Sequence, residues 1–298
     1  MKSRLPAWRL VLVILLSSLA WGAPTRARVA VPVASVHRAP AAASERVTQA
    51  FLWDRVVVLD ARGSWSKVLV VDQYRTPHGY PGWVLSKQLW LENGPAPTQY
   101  CIVARSRAGL RAEPGSKRLM EVYLGTRLPL AEPVSNDEKF YRVRLPGQQA
   151  TLLVAAEDIT FENPEARGSD ILRTAWQLKG TSYLWGGMSA AGIDCSGLVY
   201  AAYRVHGYTL PRDADQQFLV GEKIDEDELE AGDLVFFGAT ADEITHVGIY
   251  RGDSEFIHAS SGGGVTTGTL EADYYSERFQ GGRRILRSGL SEPQVEVP

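Results

Sequence analysis

Nine residues, Gly192-Ile193-Asp194-Cys195-Ser196-Gly197-Leu198-Val199-Tyr200, constrain the fold of this chain more than any other stretch. They set one of only two cysteines among small and polar residues, directly ahead of an apolar pattern. Leu198, Ala201, Ala202 and Val205 follow at i, i+3, i+4 and i+7, one face of a helix, and Gly207 supplies its stop. Asp194 is a fitting N-cap, and Gly192 permits an unusual turn before it. Cys195 therefore falls in the first turn, where unpaired N–H groups and the helix dipole favour a negative sulfur. Lowering a thiol from about 8.5 to about 5 takes roughly 5 kcal/mol, and the dipole gives at most about 2. A cationic partner, most economically an imidazolium, has to supply the rest. The alternative is a buried small hydrophobe on a core helix.

Five histidines are available as that partner. His37 and His78 fall in an early β-rich segment and His206 at a helix end. His246 and His258 flank the turn Arg251-Gly252-Asp253, and a hairpin centred on Gly252 sets them directly opposite each other. One imidazole then fixes the tautomer of the other, and Cys195, His246 and His258 make a nucleophile, a base and an orienter. Two half-buried strand histidines with ordinary contacts are the plain alternative. A metal centre on the same three residues lacks a fourth ligand and any familiar ligand spacing, so no metal or cofactor is implied. Cys101 and Cys195 could also join as a disulfide in an oxidising compartment.

The N-terminus carries the marks of export. Lys2, Arg4 and Arg9 precede an apolar run, Leu10 to Leu19, too short to span a bilayer. Cleavage after Ala20 or Ala27 fits, so residues 1–27 are assigned to a signal peptide and no stable membrane association is expected after its removal. The mature chain is then exported, to periplasm, cell wall or medium. A net charge of −2 offers no basic field for nucleic acid.

Short β-rich runs punctuated by glycine and proline fill residues 28–95 and again 98–163, each implying a small barrel. Trp65-Ser66-Lys67-Val68 in the first and Tyr141-Arg142-Val143 in the second suggest a tandem repeat. Residues 168–288 begin with helical patterns, Asp170 to Leu178 and the Cys195 helix. They end in antiparallel strands: Gly232 to Phe237, Thr245 to Tyr250 and Glu255 to Ser260. Residues 289–298 read as a flexible tail.

Six motifs in order resemble the NlpC-type papain-like cell-wall cysteine peptidases: Tyr183-Leu184-Trp185-Gly186-Gly187, Asp194 to Val199, Leu210-Pro211-Arg212-Asp213, Gly232 to Phe237, Thr245 to Tyr250 and Phe256-Ile257-His258-Ala259. The resemblance implies a multidomain α+β chain, two small SH3-like β-barrels followed by a papain-like α+β peptidase domain. It maps nucleophile, base and third polar residue onto Cys195, His246 and His258. Gly79-Tyr80-Pro81-Gly82-Trp83 resembles the subgroup that cleaves after γ-D-glutamate in peptidoglycan stem peptides with a free N-terminal L-alanine. That implies Tyr80 and Asp194 as amine ligands, with Ser196, Tyr183 and Asp213 on the same side and Glu45 as the acidic group of the first module. A non-catalytic wall-binding protein, or an amidase or acyltransferase using the same triad, are the competing readings.

Overall fold

The run Val29–Val33 reads as one strand but folds as the junction of two, because Pro32 brings no N–H to a ladder. In the computed structural model, which describes residues 25–132, 134, 139–162 and 165–286, β1 (Thr25–Val29) and β2 (Val33–His37) lie on either side of it. β3 (Arg46–Phe51), β4 (Arg55–Arg62), β5 (Trp65–Val70), β6 (Tyr80–Leu85) and β7 (Leu89–Leu91) complete the first unit. Its sheet runs β3-β2-β6-β5-β4-β1-β7. Residues 25–27, which the sequence assigns to the leader, belong to β1. Ala27 is buried and aligned with Val56 and Leu91. The rest of the expected signal peptide, and the expected tail, lie outside the described residues.

The second unit repeats the first strand for strand. β8 (Tyr100–Val103), β9 (Arg107–Arg111), β10 (Arg118–Tyr123), β11 (Arg127–Pro129), β12 (Phe140–Arg144), β13 (Thr151–Ala155) and β14 (Ile159–Thr160) follow in chain order. They form β10-β9-β13-β12 and β11-β8-β14, the order of the first unit with one break between its fourth and fifth positions. A lone bridge from Leu130 to Val143 spans that break. In both units a single 3-10 turn precedes a short last strand that returns to the first. The two "aromatic-basic-Val" runs lie on corresponding strands, β5 and β12.

The third unit opens with α1 (Gly168–Trp176), two residues earlier than its apolar period suggests. Asp170, rather than Ser169, secures its start by accepting from the Arg167 amide at 3.0 Å. A short hairpin, β15 (Met188–Ser189) with β16 (Gly192–Ile193), leads into α2 (Cys195–Arg204). Then come α3 (Ala214–Gln217), β17 (Glu222–Ile224), β18 (Leu234–Gly238), β19 (Ile244–Gly252), β20 (Glu255–Ser260), β21 (Gly264–Thr269), α4 (Asp273–Ser276) and β22 (Phe279–Arg284). The sheet runs β17-β22-β18-β19-β20-β21, antiparallel throughout. Among the described residues no helix is long and apolar enough to cross a membrane.

α2 is the centre of the molecule. Every residue from Cys195 to Arg204 is buried, not only the face that the period picks out. Leu198, Ala201 and Ala202 share a core with Val247, Ile249 and Ile257 of the sheet, and Phe51, Ile102 and Leu124 from both barrels close the same core. The outward face is polar yet enclosed. The Tyr200 hydroxyl donates to the Asp72 carbonyl at 2.6 Å, and Arg204 pairs with Asp54, their side chains 6% and 1% exposed. A helix hydrophobic on one side is thus covered on the other by the first barrel.

Candidate active site

Asp194 sets the start of α2. Its Oδ1 accepts from the Gly197 amide at 2.7 Å, and its Oδ2 accepts from the Gly186 amide at 2.8 Å. Arg212 approaches the same carboxylate with both terminal nitrogens, at 3.0 and 2.8 Å. Two glycines are required here. A Cβ on Gly197 would meet the Gly187 carbonyl at 2.2 Å, and Gly186, at φ +69°, backs onto the Arg46 carbonyl of the first barrel. The carboxylate oxygens are therefore filled from within the chain. Asp194 is a cap and an arginine partner rather than the open amine ligand that the resemblance implies. Ser196 is committed as well: its hydroxyl accepts from Arg212 at 2.8 Å and donates to Asp194 at 3.3 Å.

Cys195 is buried and free, and so is Cys101, whose thiol donates to the Leu128 carbonyl inside the second barrel. The two do not form the disulfide that export would permit. The amides of Val247 and Ser196 face the Cys195 sulfur and favour its thiolate, but burial outweighs them and pushes the thiol up to about 12. Val247 precedes Gly248 and follows His246 in β19, so the strand that bears the imidazole also gives its amide to the sulfur. Burial holds the His246 ring down to about 4. Both shifts favour the neutral thiol and the neutral ring over a thiolate–imidazolium pair.

His246 Nε2 lies 2.7 Å from His258 Nδ1, with the rings edge to face. The route to this contact differs from direct opposition. Asp253 and Ser254, at φ +52° and +58°, form the turn, and the ladder shifts between Tyr250 and Gly252. Ile249 then aligns with Ile257, which by continuation sets His258 opposite Gly248 and leaves His246 on the diagonal. An aromatic wall holds both rings. Phe237 is directly across from His246, while Phe256 and Tyr275 pack edge-on to His258. Burial, and then the neighbouring His246 charge, push His258 down to about 3. Among the described residues no cluster of three or more His, Cys, Asp and Glu is arranged for a metal.

The first barrel reaches this site at Tyr80. Its hydroxyl donates to Asp213 Oδ2 at 3.0 Å, and Arg75 pairs with the same carboxylate and with Asp215. Burial raises the Asp213 carboxyl against the pull of Arg212 and Arg75. Asp213 follows Arg212, which binds Ser196, so the Tyr80 contact joins the first barrel to the segment that also holds the start of α2. Tyr183 pairs with Ile193, and burial followed by the charges of Cys195 and Asp194 raises its hydroxyl. Glu45 lies at the rim, paired with Arg38 at 2.6 Å and accepting from the Trp185 indole at 3.0 Å. Those contacts hold its carboxyl below the usual range. Arg75 and Thr48 meet partners more than a hundred residues away, so no local pattern marks them. Phe237 lies within a recognisable motif, but its place across from His246 emerges only from the β18–β19 register, and Tyr275 joins the same wall from α4.

Comparison with known proteins agrees with this arrangement. Residues 180–284 match the NlpC/P60 family model and residues 36–89 the bacterial dipeptidyl-peptidase SH3 domain. The chain is 37% identical over 259 residues to a γ-D-glutamyl-L-lysine dipeptidyl-peptidase of Bacillus cereus, covering 82% of this chain and 76% of that one. It is 29% identical over 244 residues to the Bacillus subtilis protein of the same name, covering 80% and 81%. The crystal structure of an NlpC/P60 family protein from Bacillus cereus superposes with a TM-score of 0.77 at 30% identity, over 88% of this chain and all of that one. The family match over residues 180–284, together with 37% identity to a relative over most of both chains, shows that the chain belongs to the NlpC/P60 family of cysteine peptidases.

Proposed function

We propose that the chain is an exported peptidase that hydrolyses the bond between γ-D-glutamate and an L-diamino acid in peptidoglycan stem peptides with a free N-terminal L-alanine. Cys195 is the nucleophile. In the working tautomer His246 Nε2 donates its proton to His258 Nδ1, so the lone pair on His246 Nδ1 is the one left to take the thiol proton. Attack on the γ-glutamyl carbonyl moves the thiol proton to that nitrogen, and the carbonyl oxygen turns toward the Cys195 amide at the helix start. The imidazolium protonates the departing amine. The neutral ring then takes a proton from water, which releases the dipeptide from sulfur. The names of the two Bacillus relatives, γ-D-glutamyl-L-lysine dipeptidyl-peptidase, favour lysine at the diamino position.

The observation that supports the free-amine requirement is the Tyr80–Asp213 contact, which brings the first barrel to a partly buried carboxylate next to Arg212. An ammonium entering there meets the Asp213 carboxylate, with Tyr183 alongside and Glu45 at the rim. Removing one partner of a fully buried charge pair costs about 3–5 kcal/mol. The Asp213 side chain is 23% exposed, so the loss is smaller here. At about 1.4 kcal/mol per tenfold, a 10- to 100-fold effect is the reasonable scale. The test is L-Ala-γ-D-Glu-L-Lys against its N-acetyl form: kcat/KM should fall by about that factor on acetylation. Equal rates would remove the amine site. Cys195→Ala should abolish hydrolysis with the melting temperature retained.

A further inference from the structure

Arg212 is the largest fully buried side chain among the described residues. It has five N–H donors, and the structure gives each of them an acceptor. Nη1 serves Asp194 and Ser196, and Nη2 serves Asp194 and the Gly187 carbonyl. The fifth acceptor comes from another unit: Nε donates to Thr48 Oγ1 in β3 of the first barrel, at 2.9 Å. The direction of that bond is fixed further back. Gln73 gives its amide N–H to the Gln49 carbonyl, which can only accept, so its Oε1 is left to take the Thr48 proton at 2.7 Å. The Thr48 hydroxyl therefore turns a lone pair toward Arg212. Thr48 and Gln73 have no solvent exposure, so water does not substitute for either.

We propose that Thr48 of the first barrel is a positioning residue for Cys195, acting through Arg212 and Asp194. The guanidinium is planar, so fixing Nε fixes the fork that grips Asp194. Asp194 in turn holds the Gly186 and Gly197 amides and so aligns the loop before α2 with its first turn. The charges agree with the geometry: Asp194 disfavours the Cys195 thiolate and Arg212 favours it. A guanidinium that loses its acceptor from the barrel tilts away from Asp194 and leaves that negative charge less compensated beside the sulfur. The first barrel then contributes to nucleophile reactivity as well as to the far end of the groove.

This inference rests on the reading of Cys195 as nucleophile but not on the identity of the substrate. The experiment compares the full chain with Thr48→Val, which keeps the shape and removes the acceptor, and with Thr48→Ser, which keeps the acceptor. Three quantities are read: the alkylation rate of Cys195 by iodoacetamide across pH, kcat and KM on the tripeptide, and the melting temperature. Peptide mapping separates Cys195 from Cys101. Thr48→Val should slow alkylation and lower kcat by a similar factor of about 10 with KM unchanged, and Thr48→Ser should stay close to the parent in both. A folded Thr48→Val that alkylates at the parent rate overturns the proposal, as does a Thr48→Ser as slow as Thr48→Val. Should Thr48→Val not fold, Thr48→Ala removes the same acceptor with a smaller side chain, and an unchanged alkylation rate in the folded variant has the same meaning. If the chain instead cleaves a different acyl bond, the tripeptide assay fails while the alkylation comparison still stands.

Discussion

His258 has almost no contact with solvent, at 2% exposure, and its polar contact to the His246 ring is the short nitrogen pair at 2.7 Å. In the proposed mechanism that contact holds one tautomer of His246 and leaves its other nitrogen to act as the base. His258→Ala should lower kcat by about 100-fold and leave KM nearly unchanged, because a loss of orientation acts on the reacting state. A proportional rise in KM would make His258 a substrate ligand instead. The pH profile tests the same pair. His246 accepts a proton only while neutral, and burial keeps it neutral down to about 4. Activity should therefore persist on the acid side well below about 6.5, where a free imidazole is half protonated. Stability behaves in the opposite sense. The unfolded chain takes up these protons near 6.5 and the folded chain does not, so stability falls as pH drops from about 6.5 toward the lowered folded values. Measuring kcat/KM and melting temperature over one pH series separates the two effects, and an acid limb at or above about 6.5 would contradict the buried, neutral base.

At the scale of elements, α2 was legible in part. The cysteine at its first turn, the Asp194 cap and the apolar face of Leu198, Ala201 and Ala202 are all local, and local spacing reveals them. The opposite face is not. Tyr200 and Arg204 meet Asp72 and Asp54, more than a hundred residues earlier, and nothing near Arg204 marks it for burial. The histidine hairpin shows the same division: the sequence pairs the rings, but the bulge near Arg251 decides that they meet on the diagonal. The resemblance implies Asp194 as a substrate ligand, whereas its pairing with Arg212, which lies in a separate motif, emerges only in the folded chain. The Asp54–Arg204 pair gives the element-scale prediction. Asp54→Ala strands a buried guanidinium and should destabilise the chain by about 3–5 kcal/mol in chemical denaturation. Replacing both residues with apolar side chains of similar size should recover much of that loss. β1 adds a second prediction. Thr25 to Arg28 pair with β4 and Ala27 to Val29 with β7, so cleavage after Ala27 would cut a strand in two. With the export proposed above, processing should leave Thr25 and the residues after it in the mature chain, and a mature chain beginning at Arg28 would refute this.

Taken as a whole, the molecule keeps its first barrel fixed against the peptidase unit. Arg46 donates to the Trp185 carbonyl, Thr48 receives Arg212, and Gln49 receives the Met188 amide. Asp54 pairs with Arg204, and Tyr80 bonds Asp213. These contacts run from the loop before α2 to the end of the helix. Swinging the barrel aside would unpair several buried polar groups at once, each costing about 1–3 kcal/mol. A hinge is therefore not built into this interface, and in the proposed function the Tyr80–Asp213 contact stays in place while substrate binds. A stem peptide still attached to glycan would have to extend past Tyr80, where the barrel stands. Intact sacculi should release no peptides ending or beginning at the γ-glutamyl bond, whatever the enzyme concentration. The same sacculi treated first with an amidase that frees the L-alanine amine should yield the dipeptide. Comparable release from both preparations would mean that the barrel moves, and the free-amine specificity would then have to rest on Asp213 alone.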